Sequence, residues 1–446
     1  MLLDASTPRH ALVALPSLDR PHWLSQDPVL AAAAIACLVF GVGCLLLILV
    51  LVAIRNGTNL SRARRAEIEA PLRRMLLGYA MIEADEEPDP TDRALEQQVR
   101  SLTGTQQRHA EPIAFSLLGR LAGESRARMA ALIVEWGGAQ RALDAAASGR
   151  PARRCHGLHR LGLLAHTPGL PRIIDALVST SADVRRVALD ACAHFPHQLP
   201  LEEMTDATVT HPDLRRDYLA TLAVIGGPAG PALRDHLTAN VRHLRQLDLG
   251  DHVEDEALFR VRLLIEAVGV VAEPSAKAAL VTTCDLLLGR AGPTRVAATS
   301  GPDPEAAHRL AQRQIVLAAL QSLGRLRSPA ATGTLVAALA HPDAAVRRTA
   351  AAALGEIGDP DAAPALGALT DDDDLPAARA AAAALARCGA RGQRLLAHLD
   401  TPAAAEARAL RAATQTLTRG TTSAVAAAEN QSLPRPHPAD LVEVRR

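Results

Sequence analysis

The stretch HPDAAVRRTAAAALGEIGDPDAAPALGAL, residues 341–369, decides the fold class of this chain. It contains an alanine-rich helical pattern around Leu354 and a second, shorter helical pattern after a turn. Leu323, Leu354 and Leu385 stand 31 residues apart, each preceded by an alanine-rich stretch. Self-similarity at this period is typical of stacked helical hairpins, which bury a core only when several of them pack side by side. The sequence therefore predicts an all-α solenoid of helical hairpins.

The composition favours such an array over a compact enzyme core. Aromatic residues make up 2% of the 446 residues, whereas compact cores rely on several large rings. Alanine, leucine and valine are small or branched, so they let neighbouring helices approach closely. The 48 basic residues balance the 48 acidic ones, and no global field draws the chain to nucleic acid.

An uncharged segment precedes the repeats. Residues 29–54, VLAAAAIACLVFGVGCLLLILVLVAI, are 26 consecutive residues without a charge. As a helix they would extend roughly 39 Å at ~1.5 Å per residue, which exceeds a hydrocarbon layer of ~30 Å. The sequence therefore predicts one transmembrane helix ahead of the solenoid.

The charges on the two sides of this segment predict its orientation. Residues 1–28 hold two basic and three acidic residues, whereas residues 55–74 hold six arginines and two glutamates. Arginines close to a span resist translocation, so the arginine-rich side stays in the cytoplasm. We therefore expect residues 1–28 to be a short extracytoplasmic segment. The solenoid would then lie at the cytoplasmic face of an inner or plasma membrane.

Small residues recur within the predicted span. Ala33, Cys37 and Gly41 lie four residues apart, a spacing that lets two transmembrane helices touch closely. Two interpretations stay open: a homo-oligomer formed through this helix, or ordinary small residues of an alanine-rich helix.

Recurring arginine pairs and turn signals divide the rest of the chain. The pairs that begin at Arg153, Arg185 and Arg215 recur at 32 and then 30 residues, each opening a helical pattern. The predicted segments are a juxtamembrane helical region with candidate capping repeats at 55–149, hairpin repeats at 150–288, a loop insertion at 289–305, further hairpin repeats at 306–402, and a capping helix with a disordered tail at 403–446.

The chain resembles the HEAT-repeat superfamily, in its short form known as the phycobilisome-lyase-type HEAT-like repeat. The matching positions are Asp343, Val346, Arg347, Ala350, Leu354, Gly355, Ile357, Gly358, Asp359 and Pro360, with Leu366 and Leu369 in the second helix. The resemblance covers residues 150–400 and is strongest over 310–390. It implies a right-handed α-solenoid, and a ladder in which Asp and Arg of successive first helices pair between neighbouring units.

Histidines, cysteines and aspartates are residue types of this chain that could bind a metal. Cys155, His156 and His159 lie close together, but the sequence contains neither a CxxC pair nor an HExxH motif, so we expect structural roles and no metal. The four aspartates 371–374 precede a helical pattern, where carboxylates cap free N–H groups, so we prefer capping to cation binding. The cysteines outside the span are expected to be small core residues.

Four arginines at helix starts are the candidate contacts for a partner, namely Arg185, Arg215, Arg347 and Arg379. Stacked units place such side chains in a row, and a row of guanidinium groups can grip carboxylates or phosphates. The alternative is the ladder between units, in which these arginines have a structural role.

These patterns lead to a hypothesis about function. We expect a membrane-anchored HEAT-repeat scaffold that binds a partner protein at the cytoplasmic face of a bacterial membrane, with a membrane-associated envelope enzyme as a candidate partner. The chain shows no catalytic motif and no cofactor signature, so we do not expect an enzyme. The resemblance leaves a bilin lyase-like enzyme as an alternative, and a nucleic-acid-binding solenoid is a further one.

Overall fold

The computed structural model describes residues 28–82, 89–246, 255–288 and 304–414 of the chain. Contacts divide the chain into two compact units, Met1–Leu117 and Leu118–Arg446. Within the described ranges every regular element is a helix, which confirms the all-α prediction. The predicted segment 1–28, the loop 289–305 and the tail after residue 414 lie wholly or almost wholly outside the described residues.

The first unit consists of α1 (Pro28–Met81), α2 (Pro90–Arg100) and α3 (Thr105–Leu118), whose last residue begins the second unit. Helix α1 packs against α2 through its C-terminal part, where Leu76 and Ala80 are fully buried. Asp89 caps α2, since its carboxylate accepts a hydrogen bond from the backbone N–H of Thr91 at 3.2 Å.

Helix α1 joins the predicted span and the basic region after it into one element of 54 residues. Within the described residues, no helix combines the length and the apolar character that crossing a membrane requires. The transmembrane helix expected over residues 29–54 stays a prediction.

The second unit is a series of helices joined by short turns. They are α4 (Gly123–Glu135), α5 (Gly138–Ala146), α6 (Pro151–Leu164), α7 (Leu170–Leu177), α8 (Ala182–Cys192), α9 (Leu201–Thr210), α10 (Arg215–Ile225), α11 (Gly230–Gln246), α12 (Asp255–Val271), α13 (Lys277–Leu288), α14 (Pro304–Arg325), α15 (Thr332–Ala338), α16 (Ala344–Ile357), α17 (Ala363–Leu369), α18 (Leu375–Arg387), α19 (Gly389–His398) and α20 (402–414).

From α6 onward the helices alternate between two layers. The first helix of each hairpin packs against the first helix of the next, in the order α6, α8, α10, α12, α14, α16 and α18. The second helices, α7 to α19 in steps of two, form the other layer. Leu323, Leu354 and Leu385 are fully buried in the core between the layers. The 31-residue spacing in the sequence is thus the spacing of successive hairpins.

Most hairpins turn through a short 3-10 segment that contains a proline. These segments are Thr167–Gly169, Gly227–Ala229, Pro274–Ala276, Pro329–Ala331 and Pro360–Ala362. A proline fixes φ near a helical value and has no N–H to satisfy, so it suits the first turn of a helix. Each segment therefore ends one helix and starts its antiparallel partner within a few residues.

Glycine–alanine contacts set the spacing of the first helices. A Cβ atom on Gly355 would lie 2.9 Å from the Cα of Ala384 on the next first helix, and one on Gly324 would lie 2.8 Å from the Cα of Ala353. Both distances are shorter than van der Waals contact. The absent side chain therefore lets these helix backbones touch, which brings successive hairpins to a close and regular distance.

Candidate partner-binding surfaces

A ladder of ion pairs links successive hairpins. Arg347 on α16 donates from Nε and Nη2 to the carboxylate of Asp372, both at 2.7 Å, just before α18. Arg313 on α14 bonds in the same way to Asp343, which also caps α16. The hydrogen bonds from Arg347 lower the pKa of the Asp372 carboxyl group. The Asp–Arg ladder implied by the family resemblance is confirmed at these two junctions.

The other predicted arginines also pair with a carboxylate on a neighbouring hairpin. Arg185 lies 3.6 Å from Asp213, and its Nη1 donates to the carbonyl oxygen of Ser179 at 2.8 Å. Arg379 on α18 donates from Nε to Glu406 on α20 at 2.7 Å. The four predicted site residues thus form ion pairs between neighbouring hairpins, and the structure does not bring them together into one cluster.

Arg215 departs from the pattern that its sequence context suggests. It pairs with Glu266 on α12 at 2.7 Å, and the second oxygen of Glu266 accepts from Nε of Arg262 at 2.9 Å. Glu266 is 51 residues from Arg215 in the chain. The repeat pattern points to an aspartate before the next first helix, so the sequence alone did not indicate this partner.

The exposure of the four arginines separates them into two groups. The side chains of Arg185 and Arg347 are 9% and 17% exposed, whereas those of Arg215 and Arg379 are 40% and 53% exposed. The side chains of Arg185 and Arg347 are mostly covered by the surrounding helical hairpins. Contact of these arginines with a partner stays a prediction, and Arg215 and Arg379 have the surface available for it.

An open groove of about 600 Å³ lies between α18 and α20. We call it the first-layer groove. Its lining residues are Arg379, Ala380, Ala383, Ala386, Arg387, Ala403, Glu406, Ala407, Leu410, Arg411 and Thr414. Arg379, one of the four predicted contacts, is at its edge.

The sequence at this junction differs from that of the preceding ones. Counting 31 residues from Gly355, α18 carries Ala386 where α16 carries the glycine. If the buried pair Ala403–Ala404 of α20 is aligned with the buried pair that starts at Ala377 in α18, Leu410 takes the position of Ala384. Leu410 is 65% exposed. The glycine–alanine pattern of the preceding junctions is therefore not repeated here.

The rim of this groove is basic. Arg379 is paired with Glu406, whereas Arg387 and Arg411 form no ion pair with another described residue. Arg387 ends α18, and Arg411 lies in the last turn of the described part of α20. Both arginines thus lie near the C-terminal ends of the helices that border the groove, and five of the other nine lining residues are alanines.

A second groove, of about 510 Å³, lies between α17 and α19 in the other layer. We call it the second-layer groove. It is lined by Ala363, Pro364, Gly367, Ala368, Arg391, Leu395 and Leu399. Its one charged lining residue, Arg391, already pairs with Asp361 at 3.1 Å. This groove is therefore apolar, in contrast to the first.

The residues weighed as metal ligands have other contacts in the structure. Among the described residues, no three or more histidine, cysteine or acidic side chains are grouped so that they could hold a metal ion. Asp374 caps α18 by accepting from the N–H of Ala377 at 3.0 Å, as the sequence predicted for this acidic run. Cys192 and Cys284 are fully buried, and burial raises the pKa of each thiol to about 12. These cysteines are core residues.

Comparisons with known proteins agree with this architecture. Residues 305–386 match HEAT repeats. This match covers the hairpins α14–α15 and α16–α17 and most of α18, and it supports the resemblance drawn from residues 341–369. Comparison with curated protein sequences returns no match.

Comparison with solved structures returns matches at low sequence identity. The karyopherin Kap121p, in a structure with the SUMO protease Ulp1p, aligns with 76% of this chain at 13% identity and a TM-score of 0.35. The alignment covers 45% of Kap121p, so this chain spans less than half of that protein. The CpcE and CpcF phycocyanin lyase structure from Nostoc sp. PCC7120 aligns with 61% of this chain and 92% of that one, at 19% identity and a TM-score of 0.26.

Proposed function

We propose that this chain is a HEAT-like helical scaffold that binds a partner protein. The observation that carries the proposal is the last complete hairpin of the described residues, α18–α19, which borders an open groove in each helix layer. Concave, mostly apolar surfaces with a few placed charges are where proteins bind their ligands. The ion-pair ladder and the glycine contacts hold the hairpins at fixed spacing, so the grooves are presented on a rigid frame.

We further propose that α1 anchors this scaffold at the cytoplasmic face of a bacterial membrane. The large apolar side chains from Leu38 to Val52 are between 48% and 75% exposed, and exposed apolar surface of this extent needs a cover. The uncharged run 29–54 and the six arginines within 55–74 support a single pass with the N-terminus outside. A membrane-associated envelope enzyme is then the candidate partner, because both proteins share the membrane.

The proposed role is not enzymatic. It is supported by the first-layer groove, whose lining combines alanines with Arg379, Arg387 and Arg411, an arrangement suited to binding. Attachment of a bilin and binding of nucleic acid remain the alternatives named from the sequence.

Proximity labelling in cells, with the labelling enzyme fused at the C-terminus, tests the scaffold proposal. The wild-type chain should label a small set of proteins above background. Ala383→Trp fills the first-layer groove and Ala368→Trp fills the second, and both positions are exposed, so the fold should tolerate the larger ring. At least one of these variants should lose a labelled protein.

Ala390→Trp is the matched control, because Ala390 is exposed on α19 and lines neither groove. It should label the same proteins as the wild type. An identical labelled set for all four chains would remove the grooves from the proposal. No labelled protein above background would reject the scaffold role.

A further inference from the structure

The first-layer groove has the length of a short helical segment. Arg379 and Arg387 mark its two ends on α18, and their separation of eight positions corresponds to about 12 Å at ~1.5 Å per residue, roughly two helical turns. Alanines form its floor, so their Cβ atoms leave room for larger side chains from outside. A helix that lies between α18 and α20 would bring its apolar side chains onto this floor.

Leu410 makes one wall of the groove apolar and accessible. It is 65% exposed on α20, the last helix of the described residues. Burial of apolar surface contributes about 25 cal/mol per Å². Contact between an apolar residue of a partner helix and Leu410 with the alanine floor would remove apolar surface from water and so favour binding.

The charges define the complementary surface. Arg387 and Arg411, neither in an ion pair with a described residue, stand at one end of the groove, while the Arg379–Glu406 pair is at the other end. A guanidinium group binds a carboxylate through two parallel hydrogen bonds. Two carboxylates within one turn of a bound helix would pair with Arg387 and Arg411, and the rest of that helix needs no charge.

We infer that the first-layer groove binds an amphipathic helix of a partner protein, with small and branched apolar residues along one face and two carboxylates within one turn at one end. This inference rests on the proposed scaffold function and specifies the chemistry of the partner. Helix-in-groove recognition of this kind uses apolar anchors at i, i+3 or i+4, and i+7.

A synthetic peptide tests the inference without knowledge of the cellular partner. The probe is a fluorescent alanine-based helix of about sixteen residues, long enough to populate a helix, with leucines at the anchor positions and two glutamates in one terminal turn. A companion peptide carries lysines in place of the glutamates. Fluorescence anisotropy is measured on the full chain in detergent micelles. The glutamate peptide should bind at least ~10-fold more tightly than the lysine peptide.

A charge swap makes the test specific to the groove. Arg387→Glu combined with Arg411→Glu should weaken the glutamate peptide by about tenfold and should strengthen the lysine peptide. Arg348→Glu is the matched control, because Arg348 is exposed on α16, in the same layer, and lies outside the groove. It should leave both affinities within about twofold. Equal affinity for the two peptides, or an equal loss in the control variant, would overturn the inference.

Two other occupants have distinct outcomes. If residues 415–446 of this chain filled the groove, the glutamate peptide would bind only to a variant that carries Asp440→Lys and Glu443→Lys. If a second copy of the chain filled it, Arg387→Glu combined with Arg411→Glu would dissociate the dimer and reduce the sedimentation coefficient. Either result would overturn the inference. Neither result affects the proposal that the chain is a scaffold. Conversely, if the peptide binds as expected but no protein is labelled in cells, the scaffold role is rejected while the inferred specificity of the first-layer groove stands.

Discussion

Replacing Arg347 with alanine is the sharpest test of the ladder. Arg347 donates two hydrogen bonds of 2.7 Å to Asp372, and its Nη1 donates to the carbonyl oxygens of His341 and Pro342, both at 3.0 Å. The Asp372 side chain is 8% exposed and that of Arg347 is 17% exposed. Arg347→Ala therefore leaves a nearly buried carboxylate without its charged partner, with only the backbone N–H of Asp374 still donating to it.

The magnitude follows from that burial. Removing one partner of a fully buried ion pair lowers the stability of the fold by about 3–5 kcal/mol. Removing one partner of a solvent-exposed pair lowers it by at most ~1 kcal/mol. The small residual exposure of Arg347 places the expected loss at about 2–4 kcal/mol of local stability. Because hairpins of a repeat array open locally, the loss should appear as amide exchange in α16 and α18 that is faster by about 30-fold to several hundred-fold.

The assay is hydrogen exchange followed by mass spectrometry on the full chain. Arg348→Ala is the control, since Arg348 is the adjacent exposed arginine on the same helix, and it should change the opening free energy by less than ~0.5 kcal/mol. Asp372→Ala and the double variant with Arg347→Ala complete a thermodynamic cycle, in which the two losses should not add. Additive losses, or a change in Arg347→Ala no larger than in the control, would refute the ladder as a source of stability.

Three further predictions concern a helix–helix contact, the pH dependence of the Arg347–Asp372 pair and a buried cysteine. Gly355→Val should destabilise the junction of α16 and α18 by about 1–3 kcal/mol, since its side chain would overlap Ala384, and a lower thermal midpoint on circular dichroism would show it. Arg347 lowers the pKa of Asp372, so their pair should stabilise the fold fully above the ordinary carboxyl pKa of ~3.9 and should lose that contribution as the pH falls through the lowered value. The unfolding free energies of the wild type and Asp372→Asn, followed through an acid titration, should therefore converge at low pH. A constant difference between the two curves would contradict this. Cys192, buried and with its thiol pKa raised to about 12, should resist alkylation at pH 8 until the chain unfolds, so rapid labelling of the native chain would contradict its place in the core.

Local features of the chain were predictable where consecutive residues carried the signal. Gly137, between α4 and α5, has a φ of +75°, a left-handed conformation that glycine adopts without steric cost. The proline at Pro274 opens the short turn that leads into α13, and the aspartates before α18 cap it. Each of these depends on neighbours within a few positions, so the sequence alone was sufficient.

The candidate surfaces were predictable only in part. Arg379 was named from its place at a helix start, and it does border a groove. Arg387 and Arg411 were not named, although they line the same groove and form no ion pair with a described residue. The available signal was the replacement of the repeat's glycine by Ala386 in α18, together with a leucine at position 410, and its effect depends on how two helices pack.

The sequence by itself determined that this chain forms helical hairpins and how they repeat, because the 31-residue spacing of buried leucines and the turn prolines are properties of nearby residues. Only the tertiary structure decided which carboxylate each arginine binds, such as Glu266 for Arg215, and where a groove opens. Those outcomes depend on distances between side chains that are tens of residues apart, and such distances exist only once the layers of helices have packed.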